Sequence, residues 1–286
     1  MATSGARGLL SLVGTPIGNL SDASPRVVET LRSSSVILCE DTRVTSRLLA
    51  HFDVHVPLRR ADENVLARRV PEVMELLDAG EHISFVSDAG MPGVSDPGQR
   101  LVDAALDSGY KVEVIPGPSA VVCALVASGL PMEHFFFEGF LPRKAGAIAT
   151  RLEELANIPG ALVFYESPHR VAATLAVIAD VFPLRRVALV RELTKLHEEV
   201  VRDLSANLAQ EIAERDEIRG ECAIVVEGPV AGEQTSQQAP ALSLDEAIAQ
   251  GIADGESKSR LAKRLSKEFG LQRSDVYGRI LEMDQG

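Results

Sequence analysis

An α/β fold built on a parallel sheet is what this sequence predicts, and three observations predict it. Short apolar runs alternate with helical patterns through the first 130 or so residues, as βαβ units do. Three of those runs pass directly into rigid Gly/Pro-rich turns, and open α/β sheets bind ligands at the carboxyl ends of their strands. Apolar runs after residue 130 resume the strand-and-helix plan. A chain of 286 residues, 45% of them hydrophobic, is long enough for two such domains.

The first strand, at 9–14, runs into Gly14-Thr-Pro-Ile-Gly18. Gly14 and Gly18 let a backbone approach a ligand closely. The third glycine of the dinucleotide fingerprint is missing, as is the Lys-Ser/Thr pair of a phosphate loop. A helix is expected at about 25–33, then a strand at 36–40 that ends in Glu40 and Asp41, then helices at 43–51 and 64–79. The strand at 82–87 meets the densest turn in the chain, where Asp88, Gly90, Pro92, Gly93, Asp96, Pro97 and Gly98 crowd together. Residues that permit unusual backbone angles are mixed there with residues that fix φ, so neither helix nor strand can continue. In isolation the cluster reads as a surface loop. A helix at 98–108 and a strand at 111–116 lead to the third turn, Pro116-Gly-Pro118, where Ser119 can cap a helix at 119–128. Three strand-then-turn units suggest three loops converging on one cleft.

A second α/β unit with a mixed sheet begins near Leu130-Pro131. Its strands are expected at 135–137, 161–165, 187–190 and 222–226, with a further pairing segment within Arg191–Val201, and its helices at 145–157, 168–181 and 204–215. The predicted domains are 8–128 and 129–229. A linker at 230–242 overlaps the Gly-, Pro-, Gln- and Ser-rich stretch 228–241. A tail, 243–286, carries three short helical patterns. Ser243 and Ser257 are candidate N-caps, with Glu246 at capping-box spacing. Leu261, Leu265 and Phe269 share one face, and Gly270 can end that helix. Segment 257–279 holds seven basic and two acidic residues in a chain of net charge −12. That pattern suits either a solvated helix pair or a small helix-turn-helix-like module touching nucleic acid. No internal repeat is evident.

Several function classes are disfavoured. No apolar run approaches a membrane span, the start of the chain has no signal-peptide pattern, and Cys39, Cys123 and Cys222 read as buried thiols in a cytoplasmic protein. Of six histidines only His51 and His55 have helical ligand spacing, across an apparent loop, so a metal site is not expected. No Gly-x-Ser-x-Gly nucleophile turn is present. Polar clusters follow four strands: Glu40-Asp-Thr-Arg43, Gly139–Lys144, Tyr165–Arg170 and Arg191–Lys195. Each alone reads as caps or solvated charge. Together they put Arg43, Arg143, Lys144, Arg170, Arg191 and Lys195 on a cleft rim, suited to RNA phosphates. A cleft with rigid loops and no nucleophile fits group transfer from a bound cofactor by positioning.

Eight motifs in order, GTPIGNL, CEDTR, SDAGMPGVSDPG, IPGPSA, FEGFLPRK, FYESPHR, RELTK and GECAIVVEG, cover about residues 8–229. They resemble the ribosomal RNA small subunit methyltransferase I family of the tetrapyrrole methylase superfamily. The resemblance implies two α/β domains with a cofactor cleft between them, a homodimer, and S-adenosylmethionine-dependent 2′-O-methylation of a cytidine (cytidine 1402) in 16S rRNA. It carries cofactor contacts onto Pro16 and Ile17; Asp88, Ala89, Gly90 and Met91; Ser119 and Ala120; Tyr165, Glu166 and Leu193; and Cys222 and Ala223. Thr15-Pro16 in the first loop matches the rRNA branch. Candidate proton acceptors for a ribose hydroxyl are Asp41, Glu166, Glu192 and Lys195, with Asp41, Glu192 and Lys195 preferred, and neither motif nor spacing chooses among them. Arg43, Arg143, Lys144 and Arg170 are the expected RNA phosphate contacts, since arginine stays protonated. The alternatives are a tetrapyrrole C-methyltransferase of the same fold and a non-enzymatic nucleic-acid-binding regulator acting through the tail.

Overall fold

The computed structural model describes residues 8–93, 98–230, 233, 243–269 and 271–283. It divides into two compact units, Met1–Val230 and Ala231–Gly286.

In the larger unit, the first half runs β1 (Leu9–Val13), α1 (Pro25–Ser33), β2 (Val36–Cys39), α2 (Thr42–His51), β3 (Leu58–Arg60), α3 (Glu63–Asp78), β4 (His82–Val86), α4 (Gln99–Asp107), β5 (Lys111–Ile115) and α5 (Ala120–Ser128). Its five strands form one sheet in the order β3-β2-β4-β1-β5, and every pairing is parallel. β2 and most of β1 and β4 are buried, which is why they read as unbroken apolar runs rather than alternating ones. Apolar cores cover the sheet. One gathers Leu10, Phe85 and Leu101, the other Val13, Ile37 and Val86. Two serines in the central strands are fully buried and bonded. Ser11 Oγ donates to Glu113 Oε1 at 2.7 Å, and Ser84 Oγ lies 2.7 Å from Ser34 Oγ. β3 was not expected. It is a three-residue edge strand rich in arginine, too short and too polar to show a period.

The second half runs β6 (Phe135–Phe140), α6 (Ala145–Leu155), β7 (Ala161–Glu166), α7 (Val171–Val181), β8 (Arg186–Arg191), β9 (Glu199–Leu204), α8 (Ser205–Ala213) and β10 (Cys222–Val226). The sheet order is β6-β7-β10-β8-β9. It is mixed: β6 and β7 are parallel, and the other neighbours are antiparallel. β6, β7 and β8 therefore end on the same edge, where β10 begins, and Cys222 sits between Glu166 and Arg191. The pairing segment after Arg191 lies further along than expected, at β9. One sheet face packs on α6, α7 and α8 through Leu152, Phe164 and Leu175, the other on α5 through Val121, Val163 and Ala223. Arg185 is fully buried, its guanidinium 4.0 Å above the Phe182 ring and donating to Ala156 O at 2.6 Å.

The smaller unit holds α9 (Leu244–Ala253), α10 (Lys258–Glu268) and α11 (Arg273–Met283), with Leu261, Leu265, Val276 and Ile280 fully buried. Ser243 and Glu246 form a capping box. Ser257 makes no side-chain cap bond, contrary to expectation, and Gly270 lies outside the described residues. So does most of the expected linker, and so do residues 94–97, including Asp96 and Pro97. The local basic excess is offset within the unit: over 243–283 seven acidic residues match the seven basic ones. Arg264 pairs with Glu256, and Arg279 with Asp245 and Glu282. Among the described residues no helix is long and apolar enough to cross a membrane.

Because the two units have separate apolar cores, a chain ending at Val230 should unfold in one cooperative transition. Its Tm should lie within a few degrees of that of the larger unit in the full chain. Differential scanning calorimetry of both chains checks this, and a large loss of Tm would mean the tail is part of the main core.

Candidate active site

The three Gly/Pro turns of the first sheet converge, and backbone contacts fasten them. Thr15 N donates to Gly90 O at 2.9 Å and Gly90 N to Thr15 O at 3.1 Å, a two-way bridge between the first and second loops. Gly14 N donates to Ile115 O at 2.9 Å, at the head of the third loop, and Gly117 N to Met91 Sδ at 3.2 Å. A Cβ on Gly14 would stand 2.6 Å from Gly117 N, closer than any side chain tolerates, so the first and third loops touch through bare backbone. Gly90 has φ +81°, a conformation that excludes branched side chains.

These loops face the edge where β6, β7 and β8 end and β10 begins, enclosing a cleft of about 490 Å³. That volume suits a cofactor-sized ligand. Ile17 and Asp88–Met91 line it from the first two loops, and Ser119 and Ala120 from the start of α5. Tyr165, Glu166, Leu193, Cys222 and Ala223 line it from the second sheet. Of the expected cofactor contacts only Pro16 stands off the wall, buried beside Ile17. Ser119 makes no side-chain cap bond to α5, contrary to expectation, and faces the cleft. Sequence reasoning missed Glu40, Ser87, Phe140, Ser167, Val190, Gly220 and Glu221, which also line it. Glu40, Ser167 and Glu221 adjoin expected positions, but Phe140 reaches the cleft through strand geometry.

The lining holds four carboxylates, Glu40, Asp88, Glu166 and Glu221, and among the described residues no Lys, Arg or His. Basic residues stand outside it, and most are already engaged. Arg43 wraps its own helix cap, Asp41, at 2.6 Å. Arg170 donates to Leu141 O at 3.1 Å and Pro142 O at 2.6 Å and pairs with Glu166 at 3.2 Å. Arg191 pairs with Glu199. Arg143 and Lys144 are exposed beside the N-terminus of α6 and make no ion pair among the described residues.

The candidate proton acceptors separate by environment. Asp41 bonds the Arg43 side chain and backbone, which holds its carboxyl down at about 2. Glu166 is buried, accepting from Thr174 Oγ1 at 2.7 Å and Ser167 N at 2.8 Å. Glu192 accepts from Lys195 Nζ at 2.8 Å and Glu221 N at 2.9 Å, and the Lys195 contact holds it below the usual carboxylate range. Burial opposes the charge on Lys195, but its bonds to Glu192 and Glu221 prevail and keep it firmly protonated. Glu192 and Lys195 stand behind the wall, and Glu221, 3.0 Å from Lys195 Nζ, stands on it. This loop is strained: Glu192 and Thr194 take φ +52° and +64°, and Thr194 Oγ1 is buried with no partner among the described residues. Such strain gathers at functional sites.

Burial, above all, pushes the Cys222 thiol from its ordinary 9.0 to about 11. The unfolded chain ionises this thiol near its ordinary value and the folded chain only near the raised one. Stability should therefore fall as pH rises through that window, by on the order of 2 kcal/mol at its end. Urea denaturation between about pH 8 and about pH 11 should show a shallower decline for Cys222→Ala. Equal declines would show that the thiol ionises alike in both states.

Comparison with known proteins agrees with this geometry. The family model described as Tetrapyrrole (Corrin/Porphyrin) Methylases matches residues 9–209. A protein of Xylella fastidiosa named Ribosomal RNA small subunit methyltransferase I is 41% identical over 276 residues, covering 95% of this chain and 98% of its own length. One of the same name from Synechocystis is 37% identical over 281 residues, covering 97% and 99%. Among solved structures, a diphthine synthase superposes with a TM-score of 0.60 at 16% identity, over 77% of this chain and 90% of that one. A uroporphyrin-III C-methyl transferase from Thermus thermophilus, complexed with S-adenyl homocysteine, superposes with a TM-score of 0.54 at 18% identity, over 77% and 97%. These two likenesses concern the fold alone.

Proposed function

Because this chain belongs to the ribosomal RNA small subunit methyltransferase I family of tetrapyrrole methylases, we propose that it methylates the 2′-oxygen of a cytidine in 16S rRNA of the small ribosomal subunit. The methyl donor is S-adenosylmethionine. The observation that carries this reading is the division of charge among the described residues, with carboxylates on the cleft wall and exposed cations outside it. A ligand bearing a sulfonium and an ammonium suits the wall, and a polyanion suits the rim. The far weaker likeness to tetrapyrrole methyltransferases concerns fold and favours no second substrate.

When bound, S-adenosylmethionine supplies an electrophilic methyl group at its sulfur. The residues that would hold it are those of the three fastened loops together with Tyr165, Leu193, Cys222 and Ala223. The chain's own task is to place the ribose hydroxyl in line and to take up its proton. Lys195, kept as an ammonium behind the wall, donates a hydrogen bond to Glu221 and would position that carboxylate toward the cleft. Glu192 holds Lys195 in place. Glu221 shares that ammonium and faces the cleft with its side chain 77% exposed, and is the carboxylate best placed to take the proton. Asp41 serves mainly as the cap of α2. Of the expected phosphate contacts, Arg143 and Lys144 remain available, while Arg43 and Arg170 act first within the protein.

Three further features belong to the proposal. The chain works in the cytoplasm, where ribosomal subunits are. The tail is a separate module that raises affinity for substrate. The chain forms a homodimer, supported by an outer face of α5 that leaves Val122 and Val126 50% and 59% exposed. That face lies beside β9, to which Arg202 ties it through Ser128 O and Gly129 O.

The direct test is transfer of labelled methyl groups to unmethylated small ribosomal subunits, with ribose methylation mapped on the product. Gly90→Val should lower S-adenosylmethionine affinity at least about tenfold in calorimetry, because the φ of that position strains a branched residue by roughly 1–3 kcal/mol and shifts the loop. Unchanged affinity in a folded variant would put the cofactor elsewhere. Arg143→Glu with Lys144→Glu should leave cofactor affinity intact and reduce the salt slope of RNA binding by about 1.4, the share of two single-strand phosphate contacts. An unaltered slope would remove these two side chains from the RNA path.

A further inference from the structure

β6 carries an irregularity with a purpose. Its pairing with β7 runs Phe136↔Leu162 and Phe137↔Val163, then skips Glu138 and resumes as Gly139↔Phe164 and Phe140↔Tyr165. Gly139 makes the bulge possible with φ +80°. Side chains alternate faces along a strand, so one inserted residue turns everything after it to the other face. Phe136 packs in the core beneath α6 and α7, and Phe137 on the opposite face, with α5. Uninterrupted alternation would return Phe140 to the α6 side. The bulge turns it instead to the side of Tyr165, Val190 and Ala223, which is the cleft side.

The result is a large aromatic ring left 61% exposed on the cleft wall. It is not a loose ring. Tyr165 lies 5.8 Å from it at a 60° tilt, and Phe137 backs Tyr165 at 4.9 Å. The residue after it, Leu141, is buried, and Arg170 grips the Leu141 and Pro142 carbonyls. Arg143 and Lys144 follow within four residues. A fixed, solvent-facing ring next to free cations is how proteins hold unstacked bases of single-stranded nucleic acid.

We propose that Phe140 is the stacking platform for a nucleobase of the RNA, with Arg143 and Lys144 on the neighbouring phosphates. The target nucleotide must leave its stack for its ribose to enter the cleft, and the ring at the cleft mouth receives a base so displaced. This rests on the reading of RNA as substrate. It adds a positioning contact that acts on substrate affinity and leaves the cofactor untouched.

The test uses full-length Phe140→Ala, Phe140→Leu and Phe140→Tyr with unmethylated small ribosomal subunits. Alanine and leucine should raise KM for the subunit about tenfold, while tyrosine stays near wild type and calorimetric S-adenosylmethionine affinity is unchanged throughout. Leucine equal to wild type would overturn the proposal, since apolar contact alone would then suffice. A parallel loss of cofactor affinity would overturn it too, assigning the ring to the cofactor. The chain has no tryptophan, so Phe140→Trp adds a unique fluorophore. Its emission should change when unmethylated small ribosomal subunits are added to the cofactor-bound protein, and an unchanged emission on demonstrated binding would again overturn the proposal. If wild type itself fails to methylate the subunit, the assigned substrate is wrong, an outcome separate from these.

Discussion

Two hydrogen bonds between Thr15 and Gly90 hold the cleft in shape. They join the loops that follow neighbouring strands, β1 and β4, in an isolated antiparallel bridge, opposite in sense to the parallel pairing of the strands themselves. Around this bridge the remaining loop contacts fall into place: Gly14 against Gly117, and Gly117 N on Met91 Sδ. A preformed wall of this kind spends little binding energy on ordering itself. Each contact is made by backbone or by a single thioether, so the loops tolerate almost no substitution at their glycines while leaving other positions open.

Charge is sorted in two layers on this frame. Two wall carboxylates, Glu40 and Glu166, stand within four residues of a cation, Arg43 and Arg170, that lies off the wall. Most of the cations are consumed in positioning. Arg170 steadies the segment after β6, and Lys195 lies between two glutamates and packs its stem against Gly18. An acidic chain can therefore meet a polyanion through a small remaining basic patch without filling its cofactor cleft with competing positive charge.

The fold was legible wherever the signal was local. Parallel strands buried on both faces gave unbroken apolar runs, and the three turns announced themselves through glycine and proline. Twelve of the positions that the family motifs single out line one cleft, and Pro16 does not. What escaped needed three-dimensional pairing to appear. β3 is too short to have a period. Glu221 reaches the cleft only because β10 enters antiparallel between β7 and β8. Phe140 was read as part of a loop because Glu138-Gly139 interrupts the apolar run, and the bulge there extends the strand instead. Four of the six expected rim cations, Arg43, Arg170, Arg191 and Lys195, already hold carboxylates of the protein, and sequence shows where charges are and not what they hold. In the tail the basic run 257–279 is balanced by acidic residues on either side of it within 243–283.

The position of β10 also bears on the order of events during synthesis. This strand is the last of the larger unit to leave the ribosome, yet it occupies the middle of the second sheet. Until residues 222–226 arrive, β7 and β8 have no partner between them, and the edge that carries Cys222 and Ala223 does not exist. Chains emerge N-terminus first and fold domain by domain, so the first sheet can assemble early with its three loops joined. The nascent enzyme is then an open half-site, and it gains the means to hold its methyl donor only when nearly all of the catalytic unit has been translated.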